Sequence, residues 1–573
     1  MDAHKAIITN IFNNSTLVEV PFFQRSYVWK ENLWARFIED MEYVVKTNKP
    51  HFLGSIILKE GRKPLPSENF ADCRTVVDGQ QRLTTFLIFL KVLCMKLGQS
   101  TLFDFQFRIL GKTIALRHGK NDIDAFETVM ASISAVKIEN PIPESRIIEA
   151  FNYFVDHIDE TKLDIMTIIM NVQFVRIDLD ANEDEQQIFN TINSLGVNLT
   201  TSELLKNYFF SRDTIDEYES KWEAVFENDE DTRLYWDTEI ETGRVKRAMI
   251  DIFFDSFFQL FIQDKRYNIN NDDKTMYARV DSLAQSYQHF IEHYCNGDKN
   301  IILSQIKEYA NCFMEIFKPD ICEMNISGTF GIDHLNIVIF GLKTSTLIPY
   351  VLYLAKNVHN KDDLNKMYAI LESYVMRRMV VHATTKNYNN LFTSLIYNEV
   401  LDSDSLLLKL QSGNDSAAYI PTDDELREGF QKSKLINLQT KGILYLIESH
   451  IRPANSATVL LGFNKYSLEH LMPKKWRNHW AACSSDDLSK ERDSKLLTLG
   501  NLAIIPQSLN ASIRDADWLT KKAGKGENKP GLKICAAGLS TVHDVLLENE
   551  WTESKIEIRA NWLFEKAKDL WKI

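Results

Sequence analysis

Two stretches of this 573-residue chain carry side chains suited to chemistry on phosphates. In the first, residues 75–85, a β-branched run ends at Asp78-Gly79 and the polar residues that follow begin a helical pattern. In the second, residues 466–510, an acid and a histidine at the end of a short apolar run precede two asparagines. Each apolar run predicts a strand that presents the polar residues at its end.

The first stretch predicts a strand, a tight turn and a helix. Gly79 would supply the positive φ of a sharp turn, and the unpaired amides at the helix start favour an anion such as phosphate. Arg82 would add hydrogen-bond donors, and Asp78 would hold a magnesium ion or orient a water beside the phosphate. Gln80 and Gln81 offer both donors and acceptors. These residues alone are more often only a turn.

The second stretch contains Glu469 and His470, followed by Asn501 and then Asn510. Cutting a phosphodiester requires a base for water, a divalent cation that stabilises charge, and donors that hold the phosphate. A histidine suits the first role, and oxygen ligands suit magnesium or manganese better than zinc, because no thiolate is nearby. The alternative for His470 alone is a partly buried structural histidine.

The composition, with 45% apolar and 25% charged residues, is that of an ordinary folded protein, and the length predicts two or three domains. A net charge of −13 excludes a uniformly basic nucleic-acid binder but not a local basic channel. Lys474, Lys475, Lys521 and Lys522 follow the histidine and suit contact with a polyanion such as DNA. The alternative is a solvated lysine-rich loop.

The seven cysteines are scattered without a Cys-x-x-Cys pair, so neither a disulfide framework nor a cysteine zinc site is expected. A reducing cytoplasm fits this pattern best. The N-terminus lacks the order of a secretion signal, and lysines interrupt the apolar runs near Leu87 and Val351. We therefore expect a cytoplasmic protein without membrane contact.

The pattern along the chain predicts an α+β, multidomain fold. Residues 1–210 mix short β-branched runs with helical patterns. Residues 211–455 are helical in pattern, and the aromatic side chains between 249 and 261, at spacings of three and four, are most simply core. Residues 456–573 contain the second stretch, in which the segment 481–494 is expected to loop out between two strands.

Four blocks in the first 210 residues carry a resemblance. Val76–Arg82 resembles the Asp-Gly-Gln-Gln-Arg signature of the GmrSD-like family of modification-dependent (type IV) restriction enzymes. Val20–Trp29, Phe52–Ile56 and Glu185–Asn207 resemble three further blocks of that family. The resemblance implies a domain related to the ParB/sulfiredoxin-like fold that binds and hydrolyses a nucleoside triphosphate. It places at the nucleotide Gln24, Arg25, Asp78, Gly79, Gln80, Gln81, Arg82, Asn193 and Lys206, of which Asp78 and Arg82 are catalytic.

Some of these matches have plainer explanations. Without the family, Asn193 would be a helix C-cap and Lys206 a solvated helix charge. Arg377-Arg378 resembles a family element less specifically, and two adjacent arginines on a helix are more often surface charge than phosphate clamps.

The second stretch resembles the C-terminal HNH nuclease domain of the same family, with Glu-His-x-x-Pro, Gly-Asn-Leu and Leu-Asn in order. The resemblance implies a ββα-metal fold in which His470 is the general base and Asn501 orients its ring. Glu469 and Asn510 would bind a magnesium or manganese ion. Lys474 and the other three lysines named above would contact DNA.

The resemblance as a whole implies a single-chain enzyme of defence against bacteriophage. An N-terminal sensor would recognise modified double-stranded DNA, and nucleotide turnover would control the C-terminal nuclease. Relatives recognise glucosylated or hydroxymethylated cytosine or a phosphorothioate linkage, and the nucleotide would be GTP, ATP, CTP or UTP. Two alternatives stay open: a nucleotide that is a non-hydrolysed switch, and a non-catalytic DNA- or partner-binding protein with a vestigial HNH site. A homodimer is also left open.

Overall fold

The structure is a computed structural model of the chain. It describes all residues except 1, 14, 22–23, 25, 62–63, 65–67, 141–144, 181–199, 211–213, 244, 327–329, 412–418, 453–458, 508–514, 526–529 and 537, and except the side chains of 281 and 535. Arg25, Asn193 and Asn510, which the sequence singles out, lie outside the described residues. The chain divides into two compact units, Met1–Glu219 and Ser220–Ile573. The predicted helical region and C-terminal domain fall in the second unit.

The first unit contains a six-stranded mixed sheet. The strands of this unit are β1 (Asp2–Ile7), β2 (Thr16–Glu19), β3 (His51–Glu60), β4 (Asp72–Asp78), β5 (Arg108–Ile109), β6 (Thr113–Ile114), β7 (Leu116–Arg117) and β8 (Val172–Leu179). The order in the sheet is β1-β8-β3-β4-β2-β7, and β5 pairs with β6. Strand β4 is parallel to β2 and antiparallel to β3, so the strand that leads into the Asp78 turn has a partner on each side.

The helix after β4, Gln80–Lys96, is buried along most of its length. The rings of Phe86 and Phe89 lie edge-on to Phe37, with centroids 5.8 and 5.3 Å from it. Because this helix lies inside the core, its first turn is a fixed platform. The helical segments of the unit are Ile8–Ile11, Glu31–Thr47, Gln80–Lys96, Ser100–Phe107, Ile123–Ala131, Arg146–His157, Glu160–Lys162, Ile165–Asn171, Thr201–Phe209 and Ile215–Tyr218.

The second unit is mainly helical. Its α-helices are Ala224–Phe226, Glu230–Asp237, Met249–Gln263, Asn271–Tyr277, Leu283–Tyr294, Asn300–Ile316, Ile332–Asn336, Ile348–Asn357, Lys361–Val380, Tyr388–Tyr397, Ser403–Gln411, Asp423–Lys432, Asn437–Ile451, Asp486–Lys495, Trp518–Ala523, Leu532–Cys535, Ser540–His543 and Glu553–Leu570. The 3-10 and π turns are Glu219–Glu223, Lys265–Tyr267, Val280–Ser282, Ile321–Glu323, Ile337–Gly341, Ser345–Leu347, Phe463–Lys465, Trp476–Asn478, Leu499–Asn501 and Asp544–Leu547. No helix in the described part of the chain has both the length and the hydrophobicity needed to cross a membrane.

The strands of the second unit form two separate antiparallel pairs. They are β9 (Glu239–Thr242), β10 (Val245–Ala248), β11 (Tyr466–His470) and β12 (Leu502–Pro506). β9 pairs with β10, and β11 pairs with β12. The predicted insertion between β11 and β12 contains the helix Asp486–Lys495. The mixed sheet and the helical unit together confirm an α+β, multidomain fold.

The aromatic stripe of the helical region is core, as predicted. Phe253, Phe254, Phe257 and Phe258 are all fully buried in the helix Met249–Gln263. The rings of Phe253 and Phe257 stack with centroids 5.4 Å apart. Aromatic pairs of this kind add to the stability gained from burial alone.

Arg377 and Arg378 are neither surface charges nor free to clamp a phosphate, because both are buried. The Arg377 guanidinium donates to the backbone oxygens of Trp571 and Pro421, at 2.7 and 2.9 Å. The Arg378 guanidinium donates to two backbone oxygens and lies 5.4 to 5.7 Å from the ring centroids of three tyrosines. The surface interpretation is therefore wrong: a guanidinium is buried where enough carbonyls and rings surround it.

Candidate functional site

The turn after β4 requires its glycine. Gly79 has φ 101°, in the left-handed region, and a Cβ there would lie 3.0 Å from Cγ1 of Ile56. The helix begins at the next residue, Gln80. The strand, turn and helix predicted from the sequence therefore bring Asp78 to a helix N-terminus.

Asp78 and Arg82 form an ion pair at this turn, with 2.7 Å between Oδ2 and Nη2. Both side chains are about one quarter exposed, at 21% and 24%. Gly54 on β3 leaves room for the guanidinium, since a Cβ there would lie 2.8 Å from Arg82 Nη1. The buried Nε of Arg82 has no hydrogen-bond partner among the described residues. The guanidinium therefore has an unused donor beside the helix start.

Two of the predicted nucleotide ligands bind backbone instead. Gln24 Nε2 donates to the carbonyls of Val76 and Val77, at 2.9 and 3.2 Å. Gln81 Oε1 accepts from the amide of Val28 at 2.9 Å, and its Nε2 donates to a carbonyl of the same segment. These glutamines fasten the opening motif to the turn. The Gln24 Nε2 group and both polar atoms of the Gln81 amide are thus bonded within the protein.

The other predicted nucleotide residues of this unit are placed as follows. Gln80 is buried in the first turn of its helix. Lys206 lies on Thr201–Phe209 and is only 9% exposed, so it is not a solvated charge. The structure thus brings Gln24, Asp78 and residues 79–82 together.

A buried polar layer beneath the turn was not predicted from the sequence. The hydroxyls of Tyr27 and Thr85 are 2.6 Å apart, and the amide of Tyr27 donates to Asp122 Oδ2 at 2.6 Å. Thr84 Oγ1 lies 2.9 Å from His118 Nε2. His118 and Asp122 come from a later part of the chain, and no motif marks them.

Burial sets the charge of this layer. It raises the pKa of Asp122 to about 6, against a smaller opposite effect of the hydrogen bond from the Tyr27 amide. It lowers the pKa of His118 to about 3. Near neutral pH, His118 is therefore an uncharged partner of Thr84.

Strand β11 ends with Glu469 and His470, which lie opposite Ala503 and Leu502 of β12. Glu469 is buried and His470 half-buried. Burial, and then the charges of Lys474 and Lys521, lower the pKa of His470 to about 4. The imidazole is therefore uncharged near neutral pH, which is the form that accepts a proton.

Lys521 and Lys522 do not reach solvent as the sequence analysis expected. Lys521 is 0% exposed; its ammonium forms an ion pair with Glu469 Oε1 and donates to the backbone oxygen of His470 at 2.6 Å. Lys522 is 9% exposed and donates to the Glu548 carbonyl at 2.7 Å. Neither ammonium is available to a DNA phosphate in this structure. Two adjacent lysines on a short helix do not indicate in the sequence that either side chain is buried.

Lys474 and Lys475 are exposed directly after the strand that carries His470. Both were predicted to contact DNA, and both remain exposed and available to a phosphate.

Asn501 is fully buried and uses its whole amide to hold backbone. Its Nδ2 donates to the carbonyls of Met472 and Leu496, at 2.8 and 3.0 Å. Its Oδ1 accepts from the Met472 amide at 2.8 Å and from the Trp551 indole at 3.0 Å. Both N–H groups of this amide are therefore used, and its oxygen already accepts two hydrogen bonds. The predicted hydrogen bond between Asn501 and the His470 ring is not among these contacts. Asn501 instead fixes the chain just after His470.

Two family models match the chain. One, described as the GmrSD restriction endonuclease, N-terminal domain, covers residues 8–210. The other, described as the GmrSD restriction endonucleases, C-terminal domain, covers residues 420–566. The chain belongs to the GmrSD restriction endonuclease family. It is therefore a type IV restriction endonuclease that acts on DNA. A comparison with curated proteins gave no match.

The ligand atom that this GmrSD enzyme offers near His470 is a carboxylate oxygen, the type of ligand that magnesium and manganese prefer. Glu469 offers one carboxylate oxygen, Oε2, because Oε1 pairs with Lys521. The described residues contain no group of three or more His, Cys, Asp and Glu side chains that could hold a metal. Such a donor set fits a cation held by one carboxylate together with waters and a substrate phosphate.

The Asn501 contacts of this GmrSD enzyme predict a large effect of an isosteric change. Asn501→Asp places a second carboxylate oxygen against the carbonyls of Met472 and Leu496, where two N–H groups now donate. We expect the second unit to lose about 3 kcal/mol of unfolding free energy or more. Urea unfolding followed by tryptophan fluorescence measures the change. Asn561→Asp, at an exposed position whose Oδ1 already accepts a hydrogen bond, is the control and should change stability little.

The buried layer in the first unit predicts a pH effect. The depressed pKa of His118 makes the unfolded state bind the proton first, so stability falls as pH drops below about 6.5. The raised pKa of Asp122 makes the folded state bind first, so stability rises as pH drops below about 6. In the native protein the two effects largely cancel.

In Asp122→Asn only the His118 effect remains. We expect this variant to lose about 2 kcal/mol between pH 7 and pH 5, and the native protein about 1 kcal/mol or less. Hydrogen exchange of the helix Gln80–Lys96, corrected for intrinsic rates, reads this unit alone. Asp124→Asn, at an exposed acid in the helix Ile123–Ala131 that follows Asp122, is the control. Equal pH dependence in all three proteins would contradict the assignment.

Proposed function

We propose that this enzyme is a phage-defence nuclease that cuts modified DNA at an HNH site containing Glu469, His470 and Asn501, under control of nucleotide hydrolysis in its first unit. The observation that carries the proposal is the end of β11. There an uncharged, half-buried imidazole directly follows a buried carboxylate along the strand, and the amide of Asn501 holds the backbone beyond it.

Each group at this site has a role that its surroundings permit. The His470 ring takes the proton of the attacking water, because its depressed pKa leaves it uncharged near neutral pH. Lys474 and Lys475 are exposed directly after the strand and hold the DNA phosphate. Magnesium or manganese, held by Glu469 and by Asn510, supplies stabilisation of negative charge when bound.

The turn of the first unit is the proposed nucleotide site. The amides at the start of the helix Gln80–Lys96 would bind a phosphate, and Arg82, whose side chain is 24% exposed, adds the charge of its guanidinium. Asp78 orients the attacking water or binds the magnesium ion of the nucleotide. Arg25, Asn193 and Lys206 complete the proposed site, and Gln24 and Gln81 keep its opening segment in place.

The proposed DNA substrate is double-stranded phage DNA with glucosylated or hydroxymethylated cytosine or a phosphorothioate linkage. GTP, ATP, CTP and UTP are all candidates for the nucleotide. One observation favours a second candidate for the turn: Arg82 is already paired with Asp78. In that alternative, the nucleotide is bound as a switch without being hydrolysed.

His470→Ala should lower the rate of DNA cutting by about a thousandfold, because a lost general base costs about that much. The measurement is cleavage of phage DNAs carrying different modifications, with magnesium or manganese. His543→Ala, an exposed histidine in the same unit, is the control and should cut like the native enzyme. If His470→Ala and the native enzyme gave the same products on every substrate, the nuclease proposal would fail.

Arg82→Ala should lower phosphate release from the preferred nucleotide by at least about tenfold, since a charge-assisted donor to the phosphate is lost. Release is measured separately with GTP, ATP, CTP and UTP. Arg74→Ala removes a similar ion pair with Asp72 on β4 and is the control. Nucleotide binding without Arg82-dependent release would favour the switch; neither binding nor release would remove the nucleotide site altogether.

A further inference from the structure

Lys521 was predicted from the sequence to contact DNA, and the proposed function gives it no role. Its position in the structure suggests a different one. Its ammonium is fully buried, forms an ion pair with Glu469 Oε1 and donates to the His470 carbonyl. It therefore binds both residues at the end of β11. The helix that carries it, Trp518–Ala523, is capped by Asp517, whose carboxylate accepts from the Thr520 amide.

We infer that Lys521 is a positioning residue of the nuclease site: its ammonium fixes Glu469 and His470 and neutralises Glu469, so that the divalent cation binds tightly only together with DNA. This inference rests on the proposed nuclease function.

The cost of burying Lys521 supports a role beyond stability. A buried ion pair loses the hydration of both charges, and replacing it with apolar side chains is often neutral or stabilising. Here the pair is retained, and Lys521 also donates to the His470 carbonyl. The second bond of Lys521, to the His470 carbonyl, fixes the backbone of the proposed base.

The charges explain the dependence on DNA. Glu469 and Lys521 cancel, and Lys474 adds a positive charge felt by His470. The described residues offer no cluster of three ligating side chains nearby or elsewhere. The free protein therefore attracts a divalent cation weakly. A DNA phosphate supplies the missing negative charge and a further oxygen ligand.

The first experiment measures Mn²⁺ binding to metal-free protein without DNA by electron paramagnetic resonance. Lys521→Met should bind Mn²⁺ at least about tenfold more tightly than the native protein, because the Glu469 carboxylate then has no compensating cation and both of its oxygens can bind the metal ion. Adding Glu469→Gln to Lys521→Met should abolish this gain. Lys521→Met should also cut DNA at least about a hundredfold more slowly, because the base is no longer held in place.

Two controls separate positioning from general stability. Lys522→Met removes a neighbouring buried ammonium, and its melting temperature gives the stability cost of such a loss. Lys555→Met removes the ion pair with Glu548, at 2.7 Å, and should leave Mn²⁺ binding and cutting unchanged. Native-like Mn²⁺ affinity in folded Lys521→Met, or cutting within about threefold of the native rate, would overturn the inference.

A second experiment does not depend on whether Lys521→Met folds. It measures the Mn²⁺ affinity of His470→Ala with and without duplex DNA. The double variant His470→Ala, Glu469→Gln is measured in the same way, and the Mn²⁺ that it binds with DNA is subtracted as binding to the DNA alone. Affinity should rise at least about tenfold with DNA. An unchanged affinity would overturn the inference. If the native enzyme cut no DNA, the proposed function would fail, while the Mn²⁺ affinity of Lys521→Met would still decide the role of Lys521.

Discussion

The proposed nuclease site depends on the side-chain amide of Asn501. Its four hydrogen bonds join the chain after β11, the turn before β12 and the indole of Trp551. Arg559 supports the same turn by donating to the carbonyls of Gly500 and Leu502, each at 2.8 Å. Gly500 permits this packing, since a Cβ there would lie 2.2 Å from the Ile556 carbonyl. The position of Glu469 and His470 follows from how firmly this turn is held.

The first unit uses the same kind of support at its own turn. Gln24 binds the carbonyls of the strand that leads into the turn, and Gln81, in the helix after the turn, binds the amide of Val28 in the opening segment. Asp122 accepts from the Tyr27 amide of the same segment. Residues that read as ligands in the sequence thus hold the backbone in the structure. In each unit, the proposed phosphate-binding residues lie at the end of a strand or within a few residues of it.

Local patterns predicted the elements well and the partners poorly. The strand, turn and helix around Gly79 and the aromatic core of the helical region follow from spacing of side chains in a short window, so sequence reasoning found them. The burial of Arg377 and Lys521 depends on contacts with Trp571 and Glu469, far away along the chain. Nothing in a short window distinguishes a buried cation with such partners from a solvated one, and the same holds for His118.

The contacts of Trp571 bear on how the protein can be divided. Its carbonyl accepts from Arg377, and its indole donates to Glu372, which also lies within 3.2 Å of the His334 ring. The last helix is therefore bonded to groups in the middle of the chain. A fragment starting at residue 456 would lack those partners and expose the apolar faces that cover them. Expression of the nuclease portion by itself should give an unstable or insoluble product, whereas a fragment that begins near Ser220 keeps the whole compact unit.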